Sequence, residues 1–106
     1  MARLPSSFRE RNRTAQSFRE QYAKLPRVIQ DLTRETCRTF NENPAHPSLR
    51  YHPLEDRKRG SHRPGSWSVS INMQYRAIHD VADDGVNVWY WIGTHAQYNR
   101  FTGESE

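Results

Sequence analysis

Residues 75–98, YRAIHDVADDGVNVWYWIGTHAQY, decide the fold. Two runs rich in Val, Ile, Trp and Tyr flank ADDG, and Asp84-Gly85 matches the favoured two-residue hairpin turn. With that turn, Asp83 pairs with Val86, Val81 with Val88, Ala77 with Ile92 and Arg76 with Gly93. Arg76 then faces the glycine that precedes Thr94-His95. The same register puts Trp89 and Trp91 on the face of Arg76.

Thr94-His-Ala-Gln97 has the form of a capping box, a threonine cap with a glutamine three residues later, so a short helix should start where the strand ends. His95 and Tyr98 would be neighbours on one face of it. The positive end of a helix disfavours imidazolium, and His95 reads as a general base. Arg76 supplies a fixed positive charge and paired donors for a phosphate. Tyr98 would stack on a base or donate its hydroxyl, and Gly93 would leave room for a close approach. Arg76, His95 and Tyr98 together make a candidate ribonuclease site that requires neither metal nor cofactor. Plainer readings stand beside this one: Arg76 as a surface charge paired with Asp80 or a glutamate, His95 as decoration of a helix start, Tyr98 as partly core.

Working outward, WSVSIN at residues 67–72 alternates, with Trp67, Val69 and Ile71 toward the core. The loop Asn72-Met73-Gln74 must hold three residues if Ser70 is to pair with Arg76. LRYHPL at 49–54 reads as a first strand, placed at a sheet edge because Pro53 cannot donate to a ladder. Before it the period is helical. TAQSFREQYAK at 14–24 sets Phe18 and Tyr22 on one face, and Pro26 opens an amphipathic helix over 27–43 that Asn43-Pro44 ends. The expected fold is therefore α+β: two N-terminal helices packed on an antiparallel sheet of about four strands, with a short C-terminal helix or turn. Residues 1–106 should form a single domain. The pattern leaves open whether residues 1–13 are a flexible lead-in or a short strand beside the last one.

Net charge is +4 and the pI about 9.6, with 14 Arg against 2 Lys. The charge is uneven: residues 1–63 hold 14 basic and 7 acidic side chains, residues 64–106 only 2 basic and 5 acidic. A polyanion such as RNA, or an acidic protein segment, would meet the first part. The single cysteine, Cys37, excludes an intramolecular disulfide and fits a reducing compartment. No stretch approaches the roughly 20 apolar residues that span a bilayer, and MARLPSSFRERNR lacks the apolar run of a secretory signal, so a cytoplasmic protein without a membrane partner is expected.

Four segments, F-x-x-x-Y-x-x-LP at 18–26, NPAHPSLR at 43–50, WSVSINMQYRAI at 67–78 and WIGTHAQY at 91–98, occur in an order that resembles the RelE/ParE superfamily of bacterial toxins. The resemblance covers about residues 14–101 and is nearest to the RelE-, HigB- and YoeB-like mRNA interferases. It implies a small toxin, neutralised by an antitoxin, that enters the ribosomal A site and cleaves mRNA by attack of a ribose 2′-hydroxyl on the adjacent phosphate, without metal. It implies that Arg76 lies at that phosphate and that His95 and Tyr98 correspond to a C-terminal histidine and tyrosine. Where the family often has arginine this chain has Ser70, and Arg50, His52 and Glu55 stand in for charged residues on the first strand. The loop at 57–63, with Arg57, Lys58, Arg59 and Arg63, would contact ribosomal RNA. Trp91, with Trp89, would stack on bases or receive an antitoxin segment. Two other functions fit the same resemblance: a ParE-like DNA gyrase inhibitor, and a catalytically degenerate binding partner of a regulatory protein.

Overall fold

A computed structural model describes residues 11–56 and 60–103 of the chain. Arg57, Lys58 and Arg59, the centre of the expected RNA-contacting loop, lie outside it, as do residues 1–10. Five strands and three α-helices are present among the described residues: β1 (Asn12–Thr14), α1 (Gln16–Ala23), α2 (Arg27–Glu42), β2 (His52–Pro53), β3 (Trp67–Ser70), β4 (Tyr75–Val81), β5 (Asn87–Thr94) and α3 (His95–Thr102). The sheet order is β1-β5-β4-β3-β2.

The α+β architecture expected from the pattern is the observed one, with two corrections. The sheet has five strands and is mixed, because β1 runs parallel to β5. Asn12 secures that pairing: its Oδ1 accepts from Trp89 Nε1 at 2.9 Å and from Asn87 Nδ2 at 3.1 Å. LRYHPL is also mostly not a strand. Pro47 fixes the first residue of a short 3-10 turn, Pro47–Leu49, the His46 ring caps it, and Arg50 then turns left-handed at φ 45°. Only His52 and Pro53 remain to pair with Ser68 and Trp67.

The β4–β5 hairpin holds a further difference. Gly85 N–H donates to the Ala82 carbonyl and Ala82 N–H to the Val86 carbonyl, both at 2.9 Å, and Gly85 sits at φ 85°. The loop is thus Asp83-Asp84-Gly85, a turn closed by a left-handed glycine, one residue longer than expected. Near it Val81 pairs with Asn87 and His79 with Trp89. A bulge at Tyr90 then shifts the register, so that Ile78 meets Trp91 and Arg76 meets Gly93 as expected.

The bulge also sorts the aromatic residues. Trp89 turns to the helical side, where it packs with Phe40, Leu49, Val69, Ala77 and Ile92 under the α1–α2 hairpin. It does not share the face of Arg76. Trp91 stays on that face but is enclosed, 8% exposed, in a second cluster with Leu54, Ile78, Tyr90 and Tyr98 under α3. Where β1 ends, α1 takes over the exposed edge of β5: Ser17 Oγ donates to the Tyr90 carbonyl at 2.8 Å and Gln21 Oε1 accepts from Ile92 N–H at 3.0 Å. No helix of the described residues is long and apolar enough to cross a membrane.

Candidate functional site

The sheet face beneath α3 carries a row of polar side chains fixed by register. Directly opposed residues share a face, so His52–Ser68–Ile78–Trp91 forms one row and Ser70–Arg76–Gly93 the next. At the end of β5 the capping box forms as the sequence requires: Thr94 Oγ1 accepts from Gln97 N–H at 3.2 Å, and Gln97 Oε1 from Thr94 N–H at 2.8 Å. The first amide of α3, that of His95, donates to the Gln74 carbonyl of the β3–β4 turn at 2.7 Å. These bonds bring the His95 ring over β4.

There it meets Arg76. The Arg76 Nε–H donates to His95 Nδ1 at 3.2 Å, and Nη1 donates to Ser70 Oγ. A guanidinium has only donors, so His95 Nδ1 supplies a lone pair and the imidazole carries its proton on Nε2. The Tyr98 ring lies below both groups, with the Arg76 Cζ 5.3 Å from its centroid and the His95 ring stacked at 6.2 Å and 28°. Asp80, the partner in the plainer reading of Arg76, is bonded to Arg63 instead at 3.3 Å.

Arg76, His95 and Tyr98 therefore converge, in unequal roles. Tyr98 is 2% exposed, so its ring cannot stack on a base. It is a platform for the other two. Trp91, enclosed and stacked on Phe101 at 5.2 Å, is likewise withdrawn from any base. The space at Gly93 serves the protein itself: a Cβ there would lie 2.7 Å from Gln97 Oε1 and 2.9 Å from the Trp91 ring. Ser70 is the residue that the site adds, signalled in the sequence by its pairing with Arg76 and by its place where the resembled family often has arginine.

The remaining candidates are spread around this centre. His52 and Arg50 are exposed at the β2 edge, where His52 Nδ1–H donates to the Arg50 carbonyl at 2.7 Å. Arg63 lies toward the far end of the sheet, its guanidinium 4.3 Å over the Tyr90 ring and paired with Asp80. It anchors the segment before β3 and does not join Arg76.

The fold that carries this pair, a mixed sheet with a helical hairpin on one face and a short helix on the other, is similar to that of several solved toxins. The toxin–antitoxin complex RelBE2 from Mycobacterium tuberculosis contains a chain that superposes with a TM-score of 0.56 at 20% identity, over 79% of this chain and 95% of that one. YafQ from E. coli strain BL21(DE3) gives a TM-score of 0.60 at 16% identity, over 82% and 94%. A YoeB/ParE toxin from Agrobacterium tumefaciens gives 0.59 at 15%, over 80% and 98%. At these identities the likeness is one of fold. No family model and no curated protein sequence matches the chain.

Proposed function

We propose that this chain is the toxin of a bacterial toxin–antitoxin pair, a ribosome-dependent endoribonuclease that cuts mRNA in the cytoplasm. The observation that carries the reading is the bond from Arg76 Nε to His95 Nδ1, because it joins an anion-binding group to a proton acceptor at one spot. A phosphodiester entering against Arg76 takes over its donors and releases the His95 lone pair. That lone pair accepts the proton of the ribose 2′-hydroxyl, the O2′–P bond forms, the P–O5′ bond breaks, and the departing oxygen takes a proton from water. The guanidinium stabilises the charge that gathers on the phosphoryl oxygens.

Shared fold supports the toxin class. A cleft of about 850 Å³ between the helical hairpin and the sheet supports the antitoxin partner. Phe18, Tyr22, Phe40 and Trp89 line its apolar wall, and Arg19, Arg27 and Arg34 its polar one. Such a wall suits an acidic amphipathic segment.

Mapping mRNA 5′ ends after induction tests the proposal. Wild type should arrest translation and produce discrete cuts, and Arg76→Ala should reduce cutting by about 100-fold or more. Cuts that persist in Arg76→Ala would overturn the mechanism. Intact mRNA with inhibited DNA gyrase would transfer the chain to the ParE-like activity.

A further inference from the structure

The β3–β4 turn is locked on three sides. Asn72 Oδ1 accepts from the amides of Gln74 and Tyr75 at 2.8 and 2.9 Å, and the Tyr75 carbonyl accepts from Ile71 N–H at 2.9 Å. The Gln74 carbonyl is held by the His95 amide at 2.7 Å. Met73, at the tip, is 86% exposed. A single exposed apolar side chain needs no explanation in itself. What distinguishes Met73 is its mounting: its Cα is one peptide unit, about 3.8 Å, from that of the residue bonded to His95, and the turn leads directly into Arg76.

We propose that Met73 is a substrate-contacting residue, its thioether covering the nucleobase next to the phosphate that Arg76 holds. This deepens the ribonuclease reading and rests on it. With Tyr98, Trp91 and Trp89 all enclosed, none of the three aromatic residues expected to stack on a base is placed to do so. Met73 offers a polarisable, sequence-tolerant surface on a backbone that does not have to be ordered first. Asn72 is its positioning residue, through the two turn amides.

The test uses ribosomes programmed with an mRNA that is 2′-O-methylated at the A-site codon and so cannot be cut. Met73→Ala should weaken binding roughly 2- to 10-fold relative to wild type, the range expected for loss of one sulfur–ring contact. Met73→Leu should retain most of the affinity, and the salt dependence should not change because no charge is lost. On ribosomes whose A-site codon is abasic, wild type and Met73→Ala should bind alike. Equal affinity of Met73→Ala and wild type for the methylated codon, with Arg76→Ala weakened, would overturn the role of Met73 and leave the phosphate site standing. Ribosome binding that neither substitution alters would overturn both.

Discussion

His79 is wholly enclosed, at 0% exposure, between Phe40, Tyr51 and Trp89. Its Nδ1–H donates to the Asp80 carbonyl at 3.0 Å, since a carbonyl can only accept, and Nε2 accepts from the Tyr51 hydroxyl at 2.7 Å. Burial pushes the imidazole below its ordinary pKa of 6.5, against the smaller opposing pull of the Asp80 carbonyl and charge. The unfolded chain therefore binds the extra proton first as pH falls, and folding loses stability below about pH 6.5 until the folded state is itself protonated. Urea denaturation should give a plateau above that pH and a decline below it of at most about 1.4 kcal/mol per pH unit from this residue. His79→Gln should lower the plateau and flatten the decline. Gly93 makes a second residue-scale case. Gly93→Ala drives a methyl into the Gln97 cap and the Trp91 ring, and should cost about 1–3 kcal/mol in the same measurement. The glycine was visible in the sequence, but its reason was not, because the space is filled by Gln97 from the following helix and by the Trp91 ring folded back along the same strand.

The start of α3 could be read from four residues, since a capping box is local chemistry. Thr94→Ala removes the acceptor for Gln97 N–H and should cost about 1 kcal/mol, measured by thermal or urea unfolding. On the proposed nuclease reading it should reduce cleavage more than a distant change of equal cost, because the helix start carries His95. The β4–β5 hairpin was only half legible. Asp84-Gly85 suggests a two-residue turn, whereas Gly85 closes a three-residue one, and the bulge at Tyr90 offsets the added residue. The pairing of Arg76 with Gly93 thus came out as expected although Val81 pairs one residue away from its expected partner, and Trp89 changed faces in between. Bulges have no signature in an unbroken run such as NVWYW, where every residue is a good strand former. β1 was left open between a flexible lead-in and a short strand for the opposite reason: Asn-Arg-Thr is short and polar, and its ladder depends on Asn12 reaching the Trp89 ring.

At the scale of the molecule, the sheet separates two apolar clusters among the described residues, and the candidate site is built on the smaller one. Helix periodicity and strand alternation revealed both layers, but not that Tyr98 belongs at once to the second cluster and to the site. That shared membership couples stability to activity in a way that can be measured. Removing a buried aromatic ring costs about 3–5 kcal/mol, a large share of the roughly 5–15 kcal/mol that holds a domain folded. Tyr98→Ala should therefore lower the urea midpoint sharply and, on the proposed nuclease reading, abolish translation arrest with it, since α3, Trp91 and the bed of Arg76 all lose their support. Tyr98→Phe keeps the ring and should keep both properties, with stability within about 1 kcal/mol of wild type. Arg76→Ala should separate the two, leaving stability within about 1–2 kcal/mol while the proposed activity disappears. If Tyr98→Phe remained as stable as wild type but lost cleavage, the hydroxyl would be a chemical participant, and Tyr98 would no longer be a platform.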